Sequence, residues 1–83
     1  MRLAQHVKFR EEKFGGVLFE TRSEKVYTLN PTAAAVVREI VGGASAPEIA
    51  TRLKARYADE SGAVEREVAV LIADLRGKGL VED

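Results

Sequence analysis

Residues 26–43, VYTLNPTAAAVVREIVGG, decide the fold of this 83-residue chain. The first four, Val26 to Leu29, are β-branched, aromatic or aliphatic, which is typical of a strand. Asn30 and Pro31 follow directly; asparagine caps helices, and proline fixes the backbone angle of a first helical turn. An apolar helical pattern then runs to the glycine pair at residues 42–43. The stretch therefore predicts a strand that joins a helix without a loop.

Two more β-type segments precede this junction. In the first, Val7 and Phe9 alternate with charged residues, and the second, residues 17–19, follows a turn at the glycine pair 15–16. A polar turn then leads to the third segment. We expect an antiparallel three-stranded meander in which residues 26–29 form the third strand, on an edge of the sheet.

The first expected helix covers about residues 31–41, and Gly42 or Gly43 ends it in a left-handed conformation. Its apolar positions share one face: Ala33, Val36, Val37, Ile40 and Val41. The second helix begins at Ser45, because its hydroxyl and the Glu48 carboxylate three residues later can form a capping box. Its expected buried stripe is Ala46, Ile49, Ala50, Leu53 and Tyr57.

The third expected helix runs from about residue 63 to residue 78, and Gly79 closes it. Its core positions are expected to be Val64, Val68, Leu71, Ile72 and Leu75. Leu80 and Val81 should then fold back under the helices. The predicted fold class is α+β, with the sheet followed by the helices in a single domain over residues 1–83.

Composition excludes several classes of protein. Thirteen basic residues balance thirteen acidic ones, so no net charge attracts nucleic acid over a distance. The chain has no cysteine, which excludes disulfides, thiolate zinc sites and an iron–sulfur cluster of its own. No apolar run approaches the roughly 20 residues of a membrane span, and the first residues lack the apolar segment of a signal peptide. We expect a cytoplasmic protein.

Few residues are suited to catalysis. His6 is the only histidine, so neither a His-based triad nor a His/Cys metal cage is expected. The carboxylate pairs Glu11–Glu12 and Asp59–Glu60 fall in a strand, where neighbours point to opposite faces, and in a polar loop. Both pairs are typical of solubilising charge. The sequence predicts no catalytic residue, no metal site and no cofactor.

The third helix has an unusual second face. Opposite its core stripe, where Lys and Glu would be expected, most residues are small or apolar: Arg66, Ala69, Val70, Ala73 and Gly77. Charged residues flank this strip, Asp74 among them. Small side chains let another backbone approach closely, which favours a shallow docking groove. The alternative is an ordinary surface on which alanine serves as a helix former.

The edge of the third strand offers the other half of a binding site. If Tyr27 and Leu29 point into the core, Val26 and Thr28 point outward, and the backbone groups of the edge are unpaired. Only Lys25 supplies the charge that usually protects such an edge. A peptide can add here as an antiparallel strand, with side chains toward the third helix. The alternative is that the edge pairs with another copy of the chain in a homodimer.

The sequence resembles the PqqD family from about Val7 to Val81. The resemblance rests on Tyr27-Thr28-Leu29-Asn30 leading into Thr32-Ala33-Ala34, on Gly42-Gly43, on Pro47-Glu48-Ile49-Ala50 with Leu53 and Tyr57, and on Leu71 to Leu75 with Gly79-Leu80-Val81. It implies a winged-helix-like fold, a three-stranded antiparallel sheet followed by a three-helix bundle, known as a RiPP recognition element. One departure concerns the second strand, where Glu20-Thr21 replaces the Pro-Glu pair of pyrroloquinoline quinone proteins.

The resemblance also implies a function. Members of the family are non-catalytic chaperones that bind the leader segment of a ribosomally made precursor peptide and present it to a radical-SAM or other peptide-modifying enzyme. In that family the leader lies between the third strand and the third helix. Carried onto this chain, the peptide-binding residues are Lys25, Val26, Tyr27, Thr28, Leu29, Arg66, Val70, Ala73, Asp74 and Gly77.

A winged-helix DNA-binding regulator is the rival interpretation. Residues 45–50 followed by residues 71–81 also resemble the helix-turn-helix of such regulators, whose third helix enters the major groove. Glu65 and Glu67 beside Arg66 are a poor approach to phosphates, however, and the chain ends before a wing hairpin could form. The sequence therefore favours a peptide carrier that binds no nucleic acid.

Overall fold

The structure is a computed structural model that describes residues 1–58 and 60–83, and its larger sheet is a three-stranded antiparallel meander. A short strand β1, Arg2–Leu3, precedes the meander strands β2, Val7–Glu12, β3, Gly15–Glu20, and β4, Lys25–Leu29. Their order in the sheet is β2-β3-β4, so β4 lies on an edge, as the sequence predicts. Asp59, half of one predicted carboxylate pair, lies outside the described residues.

Gly15 allows the backbone at the start of β3 to lie close to the backbone at the end of β4. Its φ angle is +142°, and a Cβ atom at this position would lie 2.1 Å from the carbonyl oxygen of Leu29. An L side chain would therefore clash with the backbone of β4, and only glycine fits. The next residue, Gly16, pairs with Leu29 in the sheet. These contacts hold the last residue of β4 in place directly before the first helix.

Helix α1, Pro31–Val41, follows β4 with only Asn30 between them. Asn30 caps the helix, since its Oδ1 atom accepts a 2.8 Å hydrogen bond from the backbone N–H of Ala33. The predicted junction of strand and helix without a loop is confirmed. At the other end, Gly43 is the left-handed residue, with φ +90°.

The buried face of α1 differs from the predicted one at its last residue. Val41 is 59% exposed, whereas Ala34 and Ala35 are buried together with Val36, Val37 and Ile40. The helix packs against β3 on one side and against the other helices on another. Its buried arc is therefore wide and centred on its middle residues, which leaves the terminal Val41 outside it.

Helix α2, Ala46–Arg56, has the predicted capping box. Ser45 N–H donates to Glu48 Oε1 over 2.9 Å, and Glu48 N–H donates to Ser45 Oγ over 3.3 Å. Ile49 and Leu53 are buried, but the prediction that Tyr57 belongs to the same stripe is wrong, because 44% of it is exposed. The helix ends at Arg56, so Tyr57 leaves the helical stripe, and its ring centre lies 6.0 Å from the Arg56 guanidinium.

Helix α3, Ala63–Gly77, buries Val68, Ile72 and Leu75. After Gly79, which has φ +73°, Leu80 and Val81 return to the core as predicted. Strand β5, Val81–Glu82, then pairs antiparallel with β1. This second sheet was not predicted, because strands of two residues are too short to show alternation.

The arrangement confirms the α+β fold class, with an antiparallel sheet followed by three helices. The core lies between the sheet and the helices, and its largest fully buried side chains are Leu18, Ile40, Ile49, Leu53, Leu80, Val36 and Val37. None of the described helices is sufficiently long and apolar to span a bilayer.

Candidate functional site

A groove separates α3 from β4 and from the first turn of α1; we call it the β4–α3 groove. Its wide part has a volume of about 710 Å³ and is lined by Asn30, Thr32, Ala33, Ala63, Arg66, Glu67, Val70, Leu71 and Asp74. Its narrow part, about 200 Å³, is lined by Tyr27, Thr28, Leu29, Asn30, Ala33, Leu71, Asp74, Leu75, Lys78 and Leu80. Four residues line both parts, so the groove is continuous.

Leu71 and Ala33 are two of the residues that line both parts of the groove, and both are half-buried. Each also packs against the hydrophobic core. The expectation that Leu71 belongs wholly to the core stripe is therefore corrected: its side chain contacts the core on one side and the groove on the other. The reason is that α3 meets β4 and α1 at the flank of its core stripe, so a residue on that flank is only half covered.

The groove-lining face of α3 differs from the strip that the sequence singled out. Most of its lining residues lie at helical spacing on one face: Glu67, Val70, Leu71, Asp74 and Lys78. The strip directly opposite the core is centred roughly 100° further around the helix. Ala73 and Gly77, which belong to that strip, are exposed and do not line the groove.

Six of the ten predicted peptide-binding residues line the groove: Tyr27, Thr28, Leu29, Arg66, Val70 and Asp74. Lys25 and Val26 lie on β4 beyond its narrow part, and Ala73 and Gly77 lie on the neighbouring strip of α3. The structure thus brings one end of β4 and one face of α3 together.

The remaining residues that line the groove were not predicted to bind a peptide. Asn30 was predicted only as a helix cap, and Ala33, Leu71, Leu75 and Leu80 only as core residues. Thr32, Ala63, Glu67 and Lys78 were predicted as helix or rim positions. The signal that could have found Asn30, Thr32 and Ala33 is the direct junction of strand and helix, because it places the first turn of α1 beside the end of β4.

The free edge of β4 faces this groove. Within the described residues β4 pairs with β3 alone, so the backbone groups on its other side have no strand partner. Leu29 is buried and Tyr27 half-buried, whereas Val26 is 52% exposed and Thr28 is exposed, as predicted. Because Tyr27, Thr28 and Leu29 also line the groove, an added strand and its inward side chains would occupy one continuous site.

Lys78 closes the narrow end of the groove. Its Nζ atom lies 2.5 Å from Asp74 Oδ2 and 5.8 Å from the centre of the Tyr27 ring. At the wide end, Arg66 and Glu67 form no ion pair with any residue of the described chain. The groove therefore has a neutralised, closed end and an end where two charges are available to a ligand.

His6 lies in a separate polar cluster that joins the β1–β2 and β3–β4 turns. Arg22 Nη2 donates to His6 Nδ1 over 2.8 Å, and Glu20 Oε1 lies 3.6 Å from His6 Nε2. The Ser23 hydroxyl, foremost among several hydrogen-bond donors, lowers the pKa of the Glu20 carboxyl. Among residues 1–58 and 60–83, no three His, Asp or Glu side chains are grouped as metal ligands would be. The cluster holds two turns together and does not line the groove.

The family model for coenzyme PQQ synthesis protein D, PqqD, matches residues 15–81. This chain belongs to the PqqD family. The match runs from the start of β3 to the first residue of β5 and therefore includes both walls of the β4–α3 groove. The resemblance to the PqqD family that the sequence shows is confirmed. No curated protein sequence matches this chain significantly.

Two solved structures share the fold of this PqqD-family chain. Lasso peptide synthetase B1, complexed with the leader peptide, is 30% identical, with a TM-score of 0.84 over 99% of this chain and 96% of that chain. TbiB1, in complex with the TbiA(β) leader peptide, has a TM-score of 0.88 over 99% of this chain and 95% of that chain. At 21% identity, the second likeness shows the fold alone.

Proposed function

We propose that residues 1–83 form one peptide-recognition domain that binds the leader segment of a ribosomally made precursor peptide and presents it to a modifying enzyme. The observation that carries the proposal is that the free edge of β4 and the β4–α3 groove share Tyr27, Thr28 and Leu29. The likeness to lasso peptide synthetase B1, which is complexed with a leader peptide, supports the same function.

The leader adds to β4 as an antiparallel strand. Main-chain hydrogen bonds to β4 supply affinity for any extended peptide, and side-chain pockets supply the choice of sequence. Alternate side chains of a strand point to opposite faces, so every second leader residue enters the groove over Leu71 and Ala33. The ligand is therefore an extended peptide with apolar residues at alternate positions, rather than a helix.

The wide part of the groove accepts the end of the leader that lies beyond Leu29, beside the first turn of α1. An antiparallel strand on β4 runs from Leu29 toward Lys25, so this end is the N-terminal end of the bound segment. Val70 offers it an apolar surface, and Arg66 and Glu67 offer it one charge of each sign. A polar residue at this end can thus pair with either charge.

The chain itself is proposed to be non-catalytic and to need no cofactor. The bound leader faces Tyr27, Thr28, Leu71 and Asp74, none of which is paired with a histidine or arranged as a nucleophile with its base. Chemistry on the precursor then belongs to a partner enzyme in the cytoplasm, of the radical-SAM type or of the lasso peptide type to which one similar structure belongs.

Calorimetric titration with a synthetic leader tests the proposal. The probe is the leader segment of a short precursor peptide, identified by sequencing the genes that flank this one, and a scrambled peptide of equal composition is the control. We expect the leader alone to bind, with the largest amide shifts at residues 25–29 and on the groove face of α3. Shifts confined to α2, or equal binding of the scrambled peptide, would contradict the proposal.

A second copy of the chain and duplex DNA are the two alternative ligands, and each can be distinguished from the leader in solution. A homodimer through β4 would use the same edge, so it would dissociate as leader is added. Duplex DNA would bind with a strong dependence on salt, as expected for the winged-helix alternative. Salt-sensitive DNA binding with no leader binding would favour that alternative.

A further inference from the structure

The sheet has a second face that α1 does not cover. Leu18 of β3 is fully buried in the core, so its neighbours Val17 and Phe19 point to the opposite side of the sheet. Val17 is only 6% exposed, yet it is not part of the hydrophobic core between sheet and helices. A small apolar cluster therefore exists on the outer side of the sheet.

This cluster reaches the free edge of β4. Phe19 pairs with Val26 across β3 and β4, and Val17 pairs with Thr28. Phe19 is 40% exposed and Val26 52% exposed, although both are large and apolar. We call six of the residues on this side the outer sheet face: Lys8, Arg10, Val17, Phe19, Val26 and Thr28.

Two cations of the outer sheet face lie on β2, on the side of its apolar residues that is away from β4. Lys8 pairs with Phe19 across β2 and β3, and Arg10 pairs with Val17. Arg10 Nε lies 3.3 Å from Glu12 Oε1, whereas Lys8 forms no ion pair with any residue that the structure describes. The face is thus an apolar strip between a free strand edge and a border on which Lys8 carries a positive charge without an ion-pair partner among the described residues.

We propose that the outer sheet face is the surface by which the modifying enzyme recognises the carrier with its peptide bound. The inference rests on the proposed function, since a leader added to β4 extends the rows of Phe19–Val26 and Val17–Thr28 with its own outward side chains. The enzyme then contacts carrier and peptide on one continuous surface. Its matching surface is apolar at the centre and carries a carboxylate opposite Lys8.

A face built from both carrier and peptide couples the two binding events. The enzyme binds the loaded carrier more tightly than the empty one, because only the loaded carrier presents the complete rows. By linkage, the enzyme must raise the affinity of the carrier for the leader by the same factor. The coupling lets the enzyme select carriers that hold a substrate.

The test uses Phe19→Thr and Lys8→Glu, which change the outer sheet face on β3 and β2 and replace no residue of β4 or of the groove lining. Threonine keeps a high preference for strands, so β3 is retained. Phe14→Thr is the matched control, since Phe14 is 53% exposed in the β2–β3 turn and lies outside the outer sheet face. For each variant we measure the affinity for the synthetic leader, the affinity for a modifying enzyme identified among the flanking genes with and without leader, and the rate of precursor modification.

We expect Phe19→Thr and Lys8→Glu to bind the leader within about twofold of the parent chain and to lose at least about tenfold in enzyme affinity and modification rate. Phe14→Thr should leave the leader affinity, the enzyme affinity and the modification rate unchanged. Unchanged enzyme affinity in both face variants, or equal enzyme affinity for loaded and empty parent carrier, overturns the inference while leaving the proposed function intact. Failure of the parent chain to bind the leader overturns both.

Discussion

The ammonium group of Lys78 lies 5.8 Å from the centre of the Tyr27 ring, so a cation–π contact joins the end of α3 to the edge strand β4. The same ammonium is 2.5 Å from Asp74 Oδ2, one helical turn earlier. Both walls of the narrow part of the groove therefore meet at one side chain.

The coupling between Lys78 and Tyr27 can be measured by a double-mutant cycle. We expect Lys78→Met combined with Tyr27→Leu to show a coupling free energy of about 0.5–1 kcal/mol, the usual range for an exposed cation–π contact. Tyr27→Phe keeps the ring and should keep most of the coupling. Strictly additive effects on the free energy of unfolding would mean that the contact does not hold the groove walls together.

Leu71→Ala separates the groove from the core. Because Leu71 is half-buried, we expect the free energy of unfolding to fall by about 1–2 kcal/mol, less than the usual 2–5 kcal/mol for a buried leucine. Leader affinity should fall at least about tenfold, because the groove loses its apolar floor. Ile72→Val is the control: Ile72 is buried and does not line the groove, so about 0.5–1.5 kcal/mol should be lost with affinity unchanged. Equal affinities in the two variants would remove Leu71 from the site.

Val70→Glu and Ala73→Glu decide which face of α3 the leader contacts. Both residues are exposed, so each change should move stability by only about 0.5 kcal/mol. Val70 lines the groove, and a glutamate there would place a charge against the apolar side chains of the leader. We expect Val70→Glu to abolish leader binding and Ala73→Glu to weaken it less. The reverse order in calorimetry would place the leader on the strip opposite the core.

Gly15→Ala tests the close approach of β3 to β4. A Cβ atom 2.1 Å from the Leu29 carbonyl oxygen forces the strands apart, so we expect the variant to lose its cooperative thermal transition or to melt far below the parent chain. Gly43→Ala is the matched control, with φ +90° and no atom within 4 Å of the added Cβ. Its cost should be limited to backbone strain of about 1–2 kcal/mol. Similar melting temperatures for the two variants would argue against the close approach.

The capping box of α2 should make stability depend on pH. The backbone N–H of Ser45, followed by its hydroxyl, lowers the pKa of Glu48 below its ordinary value of 4.5. A carboxyl with a lowered pKa in the folded chain stabilises that chain above the unfolded pKa and loses this effect as the pH falls through the folded pKa. In thermal melts, Glu48→Gln should therefore lower the melting temperature at pH 7 and converge with the parent chain at the acidic end. A difference that stays undiminished down to the lowest pH at which the parent chain still melts cooperatively would contradict this cause.

The sequence predicts the fold well where one residue type has one structural use. Asn30 and Pro31 start α1, and Ser45 and Glu48 start α2, because capping depends on neighbours within one turn. Val41 and Tyr57 were misplaced because periodicity alone cannot show where a helix loses its packing partner. Strand β5 was missed since its pairing with β1 joins opposite ends of the chain.

The site was harder to derive than the fold. The free strand edge and the small residues of the third helix predicted the two walls of the groove. They did not predict how α3 is rotated about its own axis, which turns Leu71 and Asp74 toward β4. That rotation is set by packing of Val68, Ile72 and Leu75 in the core, which involves partners distant in sequence. A helical wheel shows which side is buried but not which flank a neighbouring strand approaches.

The pairing of β1 with β5 brings the first and last residues of the described chain side by side. Leu3 lies opposite Val81, and Arg2 Nε is 3.1 Å from Glu82 Oε1. A linker of a few residues could therefore close residues 1–83 into a covalent ring without distorting the core. Such a ring would lower the conformational entropy of the unfolded chain and so raise the melting temperature.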